Sequence, residues 1–185
     1  MSKPKSGYFK GTTGNKSISN NIPLKYDKSD IIALVKLDIR EHPLPYKQLN
    51  AKKIKALNAK KRNRTITKEE YKQLNWQKRL NNRRKMAIDS FWEREKELII
   101  SGAKTTRNWS ASQIADIING KRPKYKGVSM QSHHVFSVLK YPHLANNPLL
   151  IYPVTRFEHY NRWHGGDFKK SLPGKPINTK VAEEF

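Results

Sequence analysis

Hydrophobic positions along the chain fall into a helical regime followed by a strand-like one. No Pro or Gly interrupts residues 68–101, and Tyr71, Leu74, Ala87, Ile88, Phe91, Trp92, Leu98 and Ile99 recur mostly at helical spacing. This predicts one long amphipathic helix. It is opened by the capping box Thr67-x-x-Glu70, in which a hydroxyl accepts an orphan N–H and a carboxylate reaches back, and Gly102 closes it. A shorter helix is expected near 51–59, ahead of the basic run Lys60 to Arg64. Another is expected from Ser29 to about Ile39, carrying Ile31, Ile32, Val35 and Leu37 and stopped by Pro43 and Pro45. Ser110-x-x-Gln113 is a second capping box. Ile114, Ile117 and Ile118 follow as a packing stripe, and Asn119-Gly120 is the stop.

The period then changes. Residues 128–138 are rich in β-branched and aromatic side chains and read as a strand. Residues 149–154 read as a second strand, with Pro153 suited to an edge. Thr155 caps a short helix over 156–163, where Glu158 suits the positive end, and Gly165-Gly166 ends it. Residues 1–29, rich in Gly, Ser, Asn and Lys without periodicity, read as a mobile basic arm or linker. The expected class is therefore α+β. A basic, mainly helical accessory region spans 30–107 and a compact ββα core spans 108–185.

Charge gives these elements a purpose. The 185 residues carry a formal charge of +23, with Lys/Arg at 38 against Asp/Glu at 15. Such a field favours nucleic acid over acidic proteins or anionic membranes. It is also uneven. Residues 127–185 hold seven basic and four acidic side chains, so about +20 lies before them. The clusters Arg83, Arg84, Lys85 and Lys121, Arg122, Lys124, Lys126 are the expected phosphate-gripping residues. No stretch approaches the roughly 18 apolar residues of a membrane span, and the N-terminus has no apolar signal core. With no cysteine, disulfides and thiolate metal sites are excluded, so a metal must rest on His, Asp, Glu or Asn.

Five of the six histidines fall between 131 and 166. Neighbouring side chains on a strand point to opposite faces, so of His133 and His134 one can face a metal and the other a substrate water. That division suits one-metal phosphodiester hydrolysis, in which an ion stabilises charge and a neutral imidazole takes a proton. His159 and His164 are five apart, about 140° around a regular α-helix, whereas four apart leaves about 40°. Both reach one ion only if the last turn loosens. His42 reads as an exposed loop residue, His143 as a hydrogen-bonded structural one, and Tyr152, Phe157 and Trp163 as core. Turn chemistry accounts for Asn146 and Asn147 before Pro148.

The segments NGKRP (119–123), SHHVFSV (132–138), YPHLANNP (141–148), IYPVT (151–155), EHYNRWHGG (158–166) and GKPIN (174–178) together resemble the HNH/endonuclease VII superfamily of ββα-metal, or His-Me finger, nucleases. The likeness is closest to the toxin-associated Gly-His-His group found at the C-terminus of bacterial polymorphic toxins. It implies His133, His159 and His164 as metal ligands and His134 as general base, with Arg156 or Arg162 contributing to transition-state charge. It also implies one divalent ion (Mg²⁺, Mn²⁺, Zn²⁺ or Ni²⁺), a nucleic-acid substrate with DNA favoured over RNA, and a cognate immunity protein. The chain would be a delivered effector acting in the target-cell cytoplasm, often as part of a larger toxin polypeptide. Three positions depart from the pattern. Ser132 replaces the signature glycine, Leu150 falls where the central Asn would stand, and the His159–His164 spacing exceeds the colicin-type pattern by one. An RNase with the same site, or a non-catalytic nucleic-acid binder with a structural metal, are the alternatives.

Overall fold

A computed structural model describes residues 36–185. The expected arm over 1–29 lies outside the described residues, as does most of the helix expected from Ser29. Its last part, 36–39, is turn and irregular chain rather than helix. Leu37 and Ile39 both pack on the core, which is the two-residue alternation of an extended segment.

Helices α1 (Ala51–Arg62), α2 (Lys68–Ile100) and α3 (Ala111–Ile118) come first, each opened by a side-chain cap. Both expected capping boxes form, at Thr67/Glu70 and at Ser110/Gln113. Gly102 and Gly120 adopt left-handed backbone just past the ends of α2 and α3. The buried stripe of α2 runs Leu74, Gln77, Leu80, Ala87, Phe91 and Glu95, at steps of three, four or seven. Leu80 packs with Val138 and Ala145, and Ala87 and Phe91 pack on Ile151. Trp92 and Ile99 meet Trp109, Ile117 and Met130. One helix therefore supports every element that carries a histidine of interest except the last.

The sheets are small. Strands β1 (Lys124–Tyr125) and β2 (Val128–Ser129) form a hairpin whose turn, Lys126-Gly127, has positive φ at both residues, as a tight primed turn requires. Strands β3 (Gln131–His134) and β4 (Ile151–Val154) pair antiparallel, with His133 opposite Tyr152 and His134 opposite Ile151. The predicted strand over 128–138 is thus broken at Met130, whose N–H bonds to the Pro123 carbonyl at 2.9 Å, and it ends at His134. The reason for its end is packing: Val135 and Phe136 are both buried in one core, which a regular strand forbids to neighbours. At the other strand, 148–150 is a 3-10 turn capped by Asn147, whose side chain accepts from Leu149 N–H at 3.0 Å.

After β4 the chain enters helix at 156–157 and becomes a π-helix over Glu158–Trp163. Thr155 and Glu158 form a buried capping box, the hydroxyl accepting from Glu158 N–H at 3.1 Å and the carboxylate from Thr155 N–H at 2.8 Å. Glu158 and Trp163, five apart, are the buried residues of this turn. Phe157, expected in the core, is instead 52% exposed, because the wide turn directs its neighbours inward. The class is α+β, helices with two small antiparallel sheets.

Candidate active site

The β3–β4 hairpin presents His133 and His134 on opposite faces. His133 is buried against Trp163, ring centroids 4.5 Å apart, on the side of the π-helix. His134 faces the loop between the strands and meets the carbonyl of Ala145 through Nε2 at 3.2 Å. A carbonyl only accepts, so Nε2 carries the proton and the Nδ1 lone pair is left for another partner.

The π-helix brings the other two histidines to His133. The N–H of His164 donates to the carbonyl of His159 at 3.1 Å, five residues back. This wider turn supplies the loosening that an H-x4-H pair needs. The ligating atoms of His133, His159 and His164 all lie within 4.8 Å of one another, with His159 Nε2 3.0 Å from His133 Nδ1. His159 Nδ1 sits 2.6 Å from Gln131 Oε1, and His164 Nδ1 sits 2.6 Å from the carbonyl of Lys170. Both partners are acceptors. Both rings therefore carry their proton on Nδ1 and keep an Nε2 lone pair, the arrangement by which outer partners orient metal-binding imidazoles. Gln131 was not singled out in the sequence, although it stands two before His133 and so shares its strand face.

Burial disfavours the charged form of His133, His134 and His159. Burial, and then the neighbouring His159, His164 and His134, holds His133 well below the ordinary imidazole range. Burial lowers His134 to about 4, assisted by the charge of Arg84 and opposed by the bond to Ala145. His159 is likewise lowered to about 4, by burial and then by His164. Neutral imidazoles can bind a metal or accept a proton.

A cleft of about 240 Å³ joins His133, His134, His159 and His164 to Arg84, Ser132 and Lys169. Among the basic residues singled out from the sequence, only Arg84 lines it. Arg83 turns away and donates to the His143 carbonyl at 2.6 Å and to Asn146 Oδ1 at 2.8 Å, so it pins the loop that carries Ala145. Lys85 pairs with Asp89 on the helix surface. Arg122 stacks on Trp92 at 5.0 Å and reaches Ser132 Oγ at 3.4 Å, beside Lys121 in a neighbouring cleft that also holds Asp89 and Glu93. Lys124 and Lys126 lie on the β1–β2 hairpin, Lys126 3.9 Å from Glu184. Neither expected catalytic arginine lines the histidine cleft. Arg156 borders a separate surface with Phe157, Tyr160 and Phe168. Arg162, only 15% exposed, donates to the Val181 carbonyl and lies 3.8 Å from Glu183. Lys169 borders the cleft where sequence reasoning had placed no one.

Nor did the sequence single out Arg107. Fully buried, it makes two bonds to Glu158 at 2.6 and 2.8 Å and one to the Pro153 carbonyl at 3.1 Å. Burial alone would raise the Glu158 pKa, but Arg107 and the N–H groups of Glu184 and Thr155 hold it below its ordinary value. Arg107 is delivered by a turn that buried Glu95 ties down, accepting from Thr106 N–H at 3.1 Å and from Trp109 Nε1–H at 2.8 Å. So α2 fixes the start of the π-helix through two buried carboxylates and one guanidinium. A lone Arg in a polar loop carries no sequence signal of this.

No curated protein matches the chain. Residues 74–155 match the profile of a family described as a GHH signature containing HNH/Endo VII superfamily nuclease toxin. The match begins inside α2 and ends at Thr155, so it includes His133 and His134, and the fold adds His159 and His164 from beyond it. Nucleases of this superfamily use a divalent metal, and this chain has a histidine group able to hold one. Over that segment the chain is similar to the GHH-signature nuclease toxins of the HNH/Endo VII superfamily.

Proposed function

We propose that the protein is a metal-dependent endonuclease that hydrolyses phosphodiester bonds of DNA, built on a ββα-metal core formed by β3, β4 and the π-helix. The observation that carries this reading is the convergence of His133, His159 and His164 within 4.8 Å while His134, next in sequence, turns to the other face. The donor set fits a divalent ion: three imidazoles, two with Nδ1–H already committed to oxygens and an Nε2 lone pair turned toward the group. His133, His159 and His164 would hold it. When bound, it supplies Lewis-acid stabilisation of negative charge at the scissile phosphate and leaving oxygen. A structural zinc site is closed by four protein ligands. Three among the described residues favour an enzyme over a passive binder.

The chain's own residues do the rest. The Ala145 carbonyl holds the Nε2–H of His134, so Nδ1 is the atom that accepts a proton from the attacking water. Arg84 and Lys169, at the cleft, hold phosphate oxygens. The brace that an Asn side chain would give to the base is replaced by the backbone of the 142–150 loop, which Arg83 clamps. The remaining basic surface of α1 and α2 draws the polyanion in by long-range attraction. The toxin family further supports a cognate immunity protein and delivery to a target cell within a larger polypeptide.

Incubation of plasmid DNA and total RNA with Mg²⁺, Mn²⁺, Zn²⁺, Ni²⁺ or chelator tests the reading. The expected result is chelator-sensitive cleavage of DNA, reduced about 10²–10⁴-fold in His134→Ala, with metal binding intact. Undiminished cleavage by that variant removes the general base, and degradation of RNA alone moves the substrate to the other sugar.

A further inference from the structure

A second group of ligating side chains lies away from the cleft. Asp38, His42 and His143 offer donor atoms within 4.8 Å of one another. His42 Nε2 is 3.2 Å from Asp38 Oδ2, and the rings of His42 and His143 meet edge to face at 4.3 Å. His143 Nε2 sits 2.7 Å from the backbone carbonyl of Asp38, so that nitrogen carries the proton. Its Nδ1 is consequently a lone-pair nitrogen, and it is buried with no hydrogen-bond partner. A ring fixed by a carbonyl on one nitrogen, with an unused lone pair on the other, is the state in which histidine binds metal.

We propose that Asp38, His42 and His143 form a second divalent-metal site that ties segment 36–42 to the loop orienting His134. Two imidazoles and one carboxylate select a borderline ion such as Zn²⁺ or Ni²⁺ over Mg²⁺, which takes oxygen ligands. The site is structural in effect. His143 stands two residues before Ala145, whose carbonyl holds His134, and the His143 carbonyl is itself gripped by Arg83. An ion here would cross-link two chain segments about a hundred residues apart, just behind the base. Asp38 is shared with Arg40, bonded at 2.7 Å through a side chain that is 80% exposed and free to swing into solvent when the ion binds.

The test uses the full chain with the other histidine group disabled by His159→Ala/His164→Ala. After dialysis against Zn²⁺ and then metal-free buffer, elemental analysis should find one Zn²⁺ per chain, and added Zn²⁺ should raise Tm. Adding His42→Ala or Asp38→Asn to that background should abolish both effects. These side chains are 42% and 36% exposed, so the substitutions spare the core, and circular dichroism checks the fold. A double variant that retains no Zn²⁺, or that retains it equally after His42→Ala, overturns the site. Neither result bears on whether His134 cleaves DNA.

Discussion

The backbone N–H of His164 bonds to the carbonyl of His159, five residues earlier, at 3.1 Å. That bond is what makes an H-x4-H pair usable. On an α-helix the two rings would diverge by about 140°, whereas here their centroids are 4.9 Å apart. Gly165, directly after, has φ +57, and a Cβ there would stand 2.8 Å from Ile177 Cγ2. Gly165→Ala therefore meets both a left-handed backbone and a clash with packed side chain. The expected loss is about 1–3 kcal/mol of stability, read by urea unfolding, together with weaker Zn²⁺ binding because His164 is displaced. A variant with full stability and metal affinity would show that the turn does not position His164.

Adjacent arginines on α2 should separate cleanly. Arg84 lines the cleft, while Arg83 is spent on the His143 carbonyl and Asn146. Arg84→Ala should weaken DNA binding and lower the slope of log K against log salt by about 0.9, the value for one phosphate contact, with stability unchanged. Arg83→Ala should leave the salt slope alone and lower the cleavage rate, since the loop that orients His134 loses its clamp. The reverse assignment would place Arg83, not Arg84, on the substrate.

The two arginines also show what the sequence could and could not disclose. Both capping boxes, the long helix and the strand pair were legible because each is written in local residues: a hydroxyl three before an acceptor, an unbroken apolar stripe, β-branched runs. The opposed faces of His133 and His134 followed from strand geometry. The π-turn was visible only as an awkward spacing, since nothing in EHYNRW announces an extra residue per turn. Arg83, Arg107 and Arg162 could not be assigned because their partners are 19 to 63 residues away. A basic side chain in sequence looks the same whether it will meet a phosphate or a buried carbonyl. Phe157 was misjudged for a related reason: its hydrophobicity was plain, but the face it takes depends on the helix type.

Arg107 and Glu158 form a two-bond ion pair whose side chains are each 1% exposed. Breaking such a pair strands a charge, and Arg107→Ala should cost about 3–5 kcal/mol. Combining it with Glu158→Gln, which can still accept from Thr155 N–H, removes the stranded charge and should recover part of that loss. A double-mutant cycle in urea measures the coupling. If the two losses simply add, the pair does not hold the π-helix to the turn after α2.

Acid should unfold the metal-free protein earlier than surface histidines alone would require. His134 and His159 have folded pKa values lowered to about 4, and burial holds His133 well below the ordinary imidazole range. In the unfolded chain each titrates near 6.5. Between those values the unfolded state binds more protons, so stability is full above about pH 6.5 and falls as pH drops toward 4. Thermal melts from pH 7.5 to 4.5 should show Tm declining across that window, and the decline should be shallower in His134→Ala/His159→Ala. A Zn²⁺ ion held as proposed would need the imidazoles deprotonated and so would compete with protons. Its stabilising shift should therefore shrink over the same range. An equal decline in parent and variant would mean that these histidines are not held neutral by the fold, and would remove the electrostatic basis for His134 as a base ready at neutral pH.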